Sequence, residues 1–276
     1  MTGRNPIAVS IGTAGYAWPD WVGPFYPESL PAERRLAFFA SHFPFVELQS
    51  TFHRIPPPGQ LAQLADTTPS GFQFSLKVPR TASHDQSVHD IRPFRLAADE
   101  LAARHRLLGF VLELPRWFSD TPGHRDWVSR VANGLRPYTT WVEFRHRSWL
   151  RPRLGEWLRD RGMELATVDG PDSPNSFPRG AFDVGTKQAY VRLHPRTLSR
   201  GVADSSDKLL REWIARLAAT PAQVQSVHIA FNTSHGFEGV RDAIQLGELI
   251  CNEETCLLVV ESPSPCPLTQ GFLFVE

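Results

Sequence analysis

Eight short apolar runs alternate along the chain with stretches of helical spacing, and this rhythm restricts the fold more than any other property of the sequence. The runs are Ala8–Gly12, Phe45–Gln49, Phe72–Val78, Gly109–Leu114, Trp141–Arg145, Glu164–Val168, Ala189–Leu193 and Val227–Phe231. Rich in branched and aromatic residues and bounded by turn-forming ones, they read as strands. Between them the periodicity predicts helices over Ala32–His42, Gly59–Ala65, Pro93–His105, Gly123–Leu135, Pro152–Arg161, Lys208–Ala219 and Val240–Ile250, several of them opened by Pro or Asp. The connection Gly170–Gly185 is rich in Pro, Ser and Gly and has room for only a turn of helix. Parallel strands need long crossovers, so eight strands joined mostly by helices read most simply as an α/β chain forming one (β/α)8 barrel of the TIM type over residues 1–250. The rival is an open doubly wound sheet, which uses fewer strands and often a glycine-rich first turn. Residues 251–276 fall outside the repeat as a C-terminal extension, with Leu257–Glu261 as a short extra strand and a proline-rich run after it.

The length of 276 residues and the 41% hydrophobic content suffice for one undivided core of that kind. The 29 basic and 29 acidic residues cancel, so no overall field draws the chain to nucleic acid or to an anionic membrane. Cys251, Cys256 and Cys266 are odd in number and lack CxxC spacing, which indicates neither a disulfide framework nor a zinc site. The N-terminus enters the first strand without a signal-peptide apolar region, and no run is long enough to cross a bilayer. A cytoplasmic protein without membrane attachment is expected.

In a barrel, alternate strand residues point inward, and those at the C-terminal strand ends surround the active site. That parity delivers Glu47 and Gln49 from the second strand, Lys77 from the third, Glu113 from the fourth, and Glu143 and Arg145 from the fifth. The sixth leads to Asp169, the seventh gives Arg192 and His194, and the eighth gives Asn232. So many ionisable groups at one end point to a site. The structural alternative is a plug of mutually neutralising ion pairs, which persists without catalysis. The loop after the first strand adds Tyr16, Trp18, Trp21, Phe25 and Tyr26, which either stack on a ligand ring or cap the barrel against water. The prolines at 19, 24 and 27 favour a fixed cap.

The motifs Gly12-Thr-Ala-Gly15, Trp18-Pro-Asp-Trp-Val-Gly-Pro-Phe-Tyr26, Ser50-Thr-Phe-His-Arg54 and Val142-Glu-Phe-Arg-His146 resemble those of the domain-of-unknown-function 72 family, the YecE-like proteins. Phe74-Ser-Leu-Lys-Val-Pro79, Val111-Leu-Glu-Leu-Pro115, Tyr190-Val-Arg-Leu-His194 and Phe231-Asn232 extend the resemblance in order along the chain. The resemblance implies a TIM-type barrel and no established activity. Glu47, Lys77, Glu143, Arg145, Arg192, His194 and Asn232 match the family pattern. The chain departs from that pattern at Gln49 and His53, at Glu113 where Gln is usual, at Pro195 after His194, and at Thr233-Ser-His235. Its rim is more acidic as a result.

Three functional readings follow. In the first, the chain is an enzyme for a small polar anion, phosphate- or carboxylate-bearing; Glu47, Glu143 and His194 do acid and base chemistry, and Lys77, Arg145 and Arg192 hold the anion. Asn232, Tyr16, Trp18 and Asp169 would complete the substrate contacts. Lys77 also admits a Schiff base with a carbonyl substrate. The second is a metal-dependent phosphoesterase or sugar isomerase, with a divalent metal on Glu47, Glu143, Asp169 and His194. The third is a non-catalytic module for a ligand or for single-stranded nucleic acid, to which aromatics and arginines are suited. No P-loop, GxGxxG, HExxH or GxSxG is present, which disfavours the corresponding chemistries. His235-Gly-Phe-Glu-Gly239, ahead of the last helix, is a weak phosphate-loop candidate.

Overall fold

The computed structural model describes residues 5–170, 174–180, 182–183, 185–194, 206–232, 236–252 and 258–261. Eight strands form the centre: β1 (Ile7–Ala14), β2 (Phe45–Leu48), β3 (Gln73–Lys77), β4 (Leu107–Glu113), β5 (Thr140–Glu143), β6 (Met163–Asp169), β7 (Gln188–Leu193) and β8 (Ser226–Phe231). Each is parallel to its neighbour in sequence, and β1 pairs with both β8 and β2, which closes the barrel. The helices α1 (Arg35–Ala40), α2 (Gln60–Asp66), α3 (Arg80–Ser83), α4 (Ile91–Ala102), α5 (Pro122–Leu135), α6 (Leu154–Arg159), α7 (Ser206–Ala218) and α8 (Glu238–Asn252) lie in the connections. The chain is thus a (β/α)8 barrel of the TIM type, as the alternation predicts. No helix among the described residues is long and apolar enough to cross a membrane.

The strand periodicity of two sorts side chains into two layers. Outward residues such as Leu76, Leu112 and Val142 join Leu101, Val128 and Trp213 of the helices in the larger apolar cluster. Inward residues Phe45, Val111, Trp141, Ala166, Tyr190 and Ala230 form a smaller cluster inside the barrel. Trp141 stacks on Tyr190 with centroids 4.8 Å apart. This ring also explains Gly109, at φ 155°: a Cβ there would sit 2.7 Å from the Trp141 ring and 2.7 Å from the Thr139 carbonyl. Above this apolar layer the inward positions become charged.

Several details differ from the sequence reading. β5 ends at Glu143, so Arg145 stands on the loop beyond it. α3 is an unanticipated single turn after β3. The extra strand exists as β9 (Leu258–Glu261), parallel to β1, with Ile7 opposite Leu258 and Ser10 opposite Glu261. It covers the lower half of the β1 edge because β2 begins only opposite Gly12. Leu257, Cys256, Cys266 and the proline-rich run lie outside the described residues, as do Pro195 and Thr233–His235; of the phosphate-loop candidate only His235 is among these, while Gly236–Gly239 are described and lead into α8.

Candidate functional site

The inward residues at the C-terminal strand ends make one ion-pair network centred on Arg192. This side chain reaches from β7 across the barrel, with small Ala230 and Val168 as its in-register neighbours. Its Nη2 and Nε donate to the two oxygens of Glu47 at 2.8 and 3.1 Å. Its Nη1 donates to Glu113 at 2.8 Å and also to Glu143. Lys77 lies 2.9 Å from Glu113. Arg145 donates from Nε to Glu143 at 2.8 Å and approaches Glu113 through Nη2 at 3.2 Å. Three carboxylates therefore meet three cations in a buried layer. The registry puts Glu113 directly beside Glu143, a like-charge pair that the surrounding cations make tolerable.

The electrostatics follow. Burial and Glu143 push the Glu113 carboxyl up, but Arg192, Lys77 and Arg145 outweigh them and bring it down to about 2. Burial likewise opposes ionisation of Glu143, yet Arg192, His194 and Arg145 hold its carboxyl well below the usual range. Burial and the adjacent Glu47 raise the Tyr190 phenol far above its ordinary value; its hydroxyl donates to Glu47 at 3.0 Å and meets Ser75 at 2.7 Å. Gln49 also donates to Glu47. Glu47 and Arg192 have no exposed surface. The plug anticipated as a structural alternative is present.

Above the plug lies a cavity of ≈ 270 Å³, over the ends of β5, β6 and β7. Arg116, Arg145, Arg179 and His194 line it together with Glu143, Phe177 and Ser176. The outer wall is built by residues 174–180. Arg147 donates its N–H to the Asn175 carbonyl at 2.8 Å, His146 bridges to Ser176, and Gly180 donates to the Val168 carbonyl at 2.9 Å. His194 is held at its Nδ1 by Asn232 at 3.4 Å, and its Nε2 is 3.5 Å from Glu143. That Nε2 is buried and lacks a hydrogen bond of acceptable geometry.

Of the residues singled out in the sequence, the barrel brings together Glu47, Lys77, Glu143, Arg145, Arg192, His194 and Asn232. Only Glu143, Arg145 and His194 reach the cavity. Asp169 is elsewhere. Val168 of β6 and Gly170 just past its end carry the inward parity and line the cavity, so Asp169 faces the helices, where its carboxylate accepts from the Trp213 indole at 2.7 Å. The four-ligand set Glu47, Glu143, Asp169 and His194 is therefore not assembled. Among the described residues no group of three or more His, Cys, Asp or Glu is placed to hold a metal ion. Trp21, Phe25 and Tyr26 are buried in the core, with Trp21 stacked 6.4 Å from Phe39. Tyr16 and Trp18 are half-buried against the same core, and Trp18 donates to the Ala14 carbonyl at 3.2 Å. The Trp21 indole donates to the Gly236 carbonyl at 3.1 Å, while Asp20 accepts from Gly236 N–H at 2.9 Å. These aromatics anchor the first loop to the last. Arg116 and Arg179 escaped the sequence reading because they stand on loops, where strand parity gives no information.

Comparison with known proteins agrees with this architecture. A DUF72 family protein (TM1631) of Thermotoga maritima MSB8 superposes with a TM-score of 0.76 at 25% identity, over 89% of this chain and 100% of that one. Another (EF0366), from Enterococcus faecalis V583, gives a TM-score of 0.76 at 18% identity, over 91% of this chain and 100% of the other. UPF0759 protein YunF of Bacillus subtilis (strain 168) is 22% identical over 269 residues, 88% of this chain and 94% of its own. With the family's pattern matched across residues 10–266, the chain belongs to DUF72, described as protein of unknown function.

Proposed function

We propose that the cavity above the ion-pair plug binds a small anion bearing a phosphate or carboxylate. The observation that carries this reading is the lining: three guanidinium groups and an imidazole face one carboxylate, Glu143, which Arg192 and Arg145 already neutralise. Arg145 Nη1 has no hydrogen bond to a described residue, and exposed Arg116 has no ion pair among them. Planar guanidinium groups suit bidentate contacts with such anions. Arg192 is better read as the support of Arg145 than as a ligand contact, since its donors are met within the barrel. Glu47 is sealed behind Arg192, so acid and base chemistry in the cavity falls to His194, with Glu143 positioning it.

Titration calorimetry with inorganic phosphate, methyl phosphate and a short dicarboxylate tests the reading. Binding should weaken about ten- to a hundredfold in Arg145→Gln and in Arg116→Gln, the loss of a charged hydrogen bond of about 1.5–3 kcal/mol. Arg116→Gln is the cleaner variant because among the described residues that side chain makes no hydrogen bond or ion pair. No binding of any anion, or binding indifferent to both changes, would refute the proposal.

One observation favours ligand binding without turnover. Glu113 and Glu143 are both held as stable anions, and such carboxylates are poor acids and weak bases at neutral pH. Incubating the protein with phosphomonoesters decides: product release that His194→Gln abolishes, with affinity retained, establishes an enzyme.

A further inference from the structure

A second cavity, ≈ 290 Å³ in volume, lies between α6 and the side chains of Phe177, Phe182 and Asp183, and Phe177 lines both it and the anion cavity. Its wall is apolar: Leu150, Leu154, Leu165 and Phe182 accompany Phe177. Leu150 is 52% exposed, one of few large apolar side chains so open among the described residues. The charged residues at its edge are mutually occupied. Arg153 pairs with Glu156 at 2.5 Å, and Arg159 pairs with Asp183. Arg151 is the exception: its guanidinium lies over the Trp157 ring at 4.7 Å, 3.6 Å from Asp120, while its Nε and Nη2 are buried without a hydrogen bond.

An anion-binding cavity next to an apolar one, with a single aromatic ring as the shared wall, matches a two-part ligand. Building on the anion site proposed above, we infer that the ligand is an organic phosphate or carboxylate with a flat apolar group, which lies against Phe177 in the second cavity. Apolar burial makes the organic part add to affinity, whereas the arginines alone recognise only the head. On this reading the anion cavity, which carries three arginines, a histidine and a glutamate, shares its Phe177 wall with a site lined by leucine and phenylalanine. Cavities that take organic ligands are usually apolar with a few placed polar groups, and here the two properties are split between adjoining spaces.

Inorganic phosphate, methyl phosphate, phenyl phosphate and 4-nitrophenyl phosphate are the probes, titrated into the full chain. Phenyl phosphate should bind at least tenfold tighter than methyl phosphate, and 4-nitrophenyl phosphate at least as tightly as phenyl phosphate. In Leu150→Asp, a change at an exposed position, that advantage should disappear while the affinity for inorganic phosphate stays within twofold. Phe177→Ala should reduce the same advantage, as an independent check from the shared wall. Equal affinities for methyl and phenyl phosphate would overturn the two-part ligand and leave the anion site standing. An aryl advantage that survives both substitutions would also overturn it, by placing the organic group elsewhere. No binding by any probe would defeat the anion site itself.

Discussion

Arg192 holds the polar interior together because desolvating a guanidinium costs several kcal/mol unless its donors are met. It has no exposed surface, and its donors reach Glu47, Glu113 and Glu143 on three different strands. Removing it would leave three carboxylates facing only Lys77 and Arg145. Arg192→Met is therefore expected to destabilise the fold by about 3–5 kcal/mol, measured by urea unfolding. Arg192→Lys keeps the charge but loses the planar fork that grips Glu47 through two nitrogens, so its loss should fall between zero and that value. Equal stability of Arg192→Met and the parent would mean that the carboxylates relax without a counter-charge. At this scale strand parity made most of the site legible. It placed Glu47, Lys77, Glu113, Glu143 and Arg192 in one layer because side-chain direction in a strand is fixed by position alone. It failed at Asp169, where a one-residue difference in the last inward position sends the carboxylate to Trp213.

Among the elements, legibility tracks how far each depends on local sequence. The eight strands and the main helices show in the apolar pattern because each buries its own periodic face. Residues 174–180 do not: they wall the cavity through backbone contacts to Arg147 and Val168, and nothing local in Pro, Asn, Ser and Arg announces those partners. β9 is intermediate, readable as a strand but not as the partner of β1. Its place follows from geometry. β2 is only 4 residues long and leaves the β1 edge from Ile7 to Ser10 open, and an uncovered strand edge invites association with another chain. Ending the chain after Asn252 should thus cost on the order of 2 kcal/mol, from the lost ladder hydrogen bonds, in chemical unfolding. The same truncated chain should scatter light at concentrations where the parent stays clear. Unchanged stability and clarity would show that β9 contributes no closure.

For the whole molecule, the buried ionisable groups set how stability responds to acid. His228 is 4% exposed inside the barrel, beside Phe45 and Trp141, and its Nε2 meets Gln188 at 2.8 Å. Burial lowers its pKa from 6.5 to about 4. Between those values the unfolded chain takes up a proton that the folded chain refuses, so stability is complete above pH 6.5 and drains away as the pH falls toward 4. The full drop from this one residue is about 3 kcal/mol. His42 and His84, also lowered by burial, add smaller losses of the same sign. Glu113 acts in the next window: its carboxyl is lowered from 4.5 to about 2, so its stabilisation is present above pH 4.5 and is lost as the pH falls through 2. Unfolding midpoints in urea from pH 7 to pH 3 should therefore decline in two overlapping stages. In His228→Gln, which offers an amide to Gln188 but cannot titrate, the first stage should flatten while the decline below pH 4.5 persists. A variant that follows the parent through the whole range would mean that His228 accepts its proton without leaving the barrel, with water or Gln188 meeting the new charge.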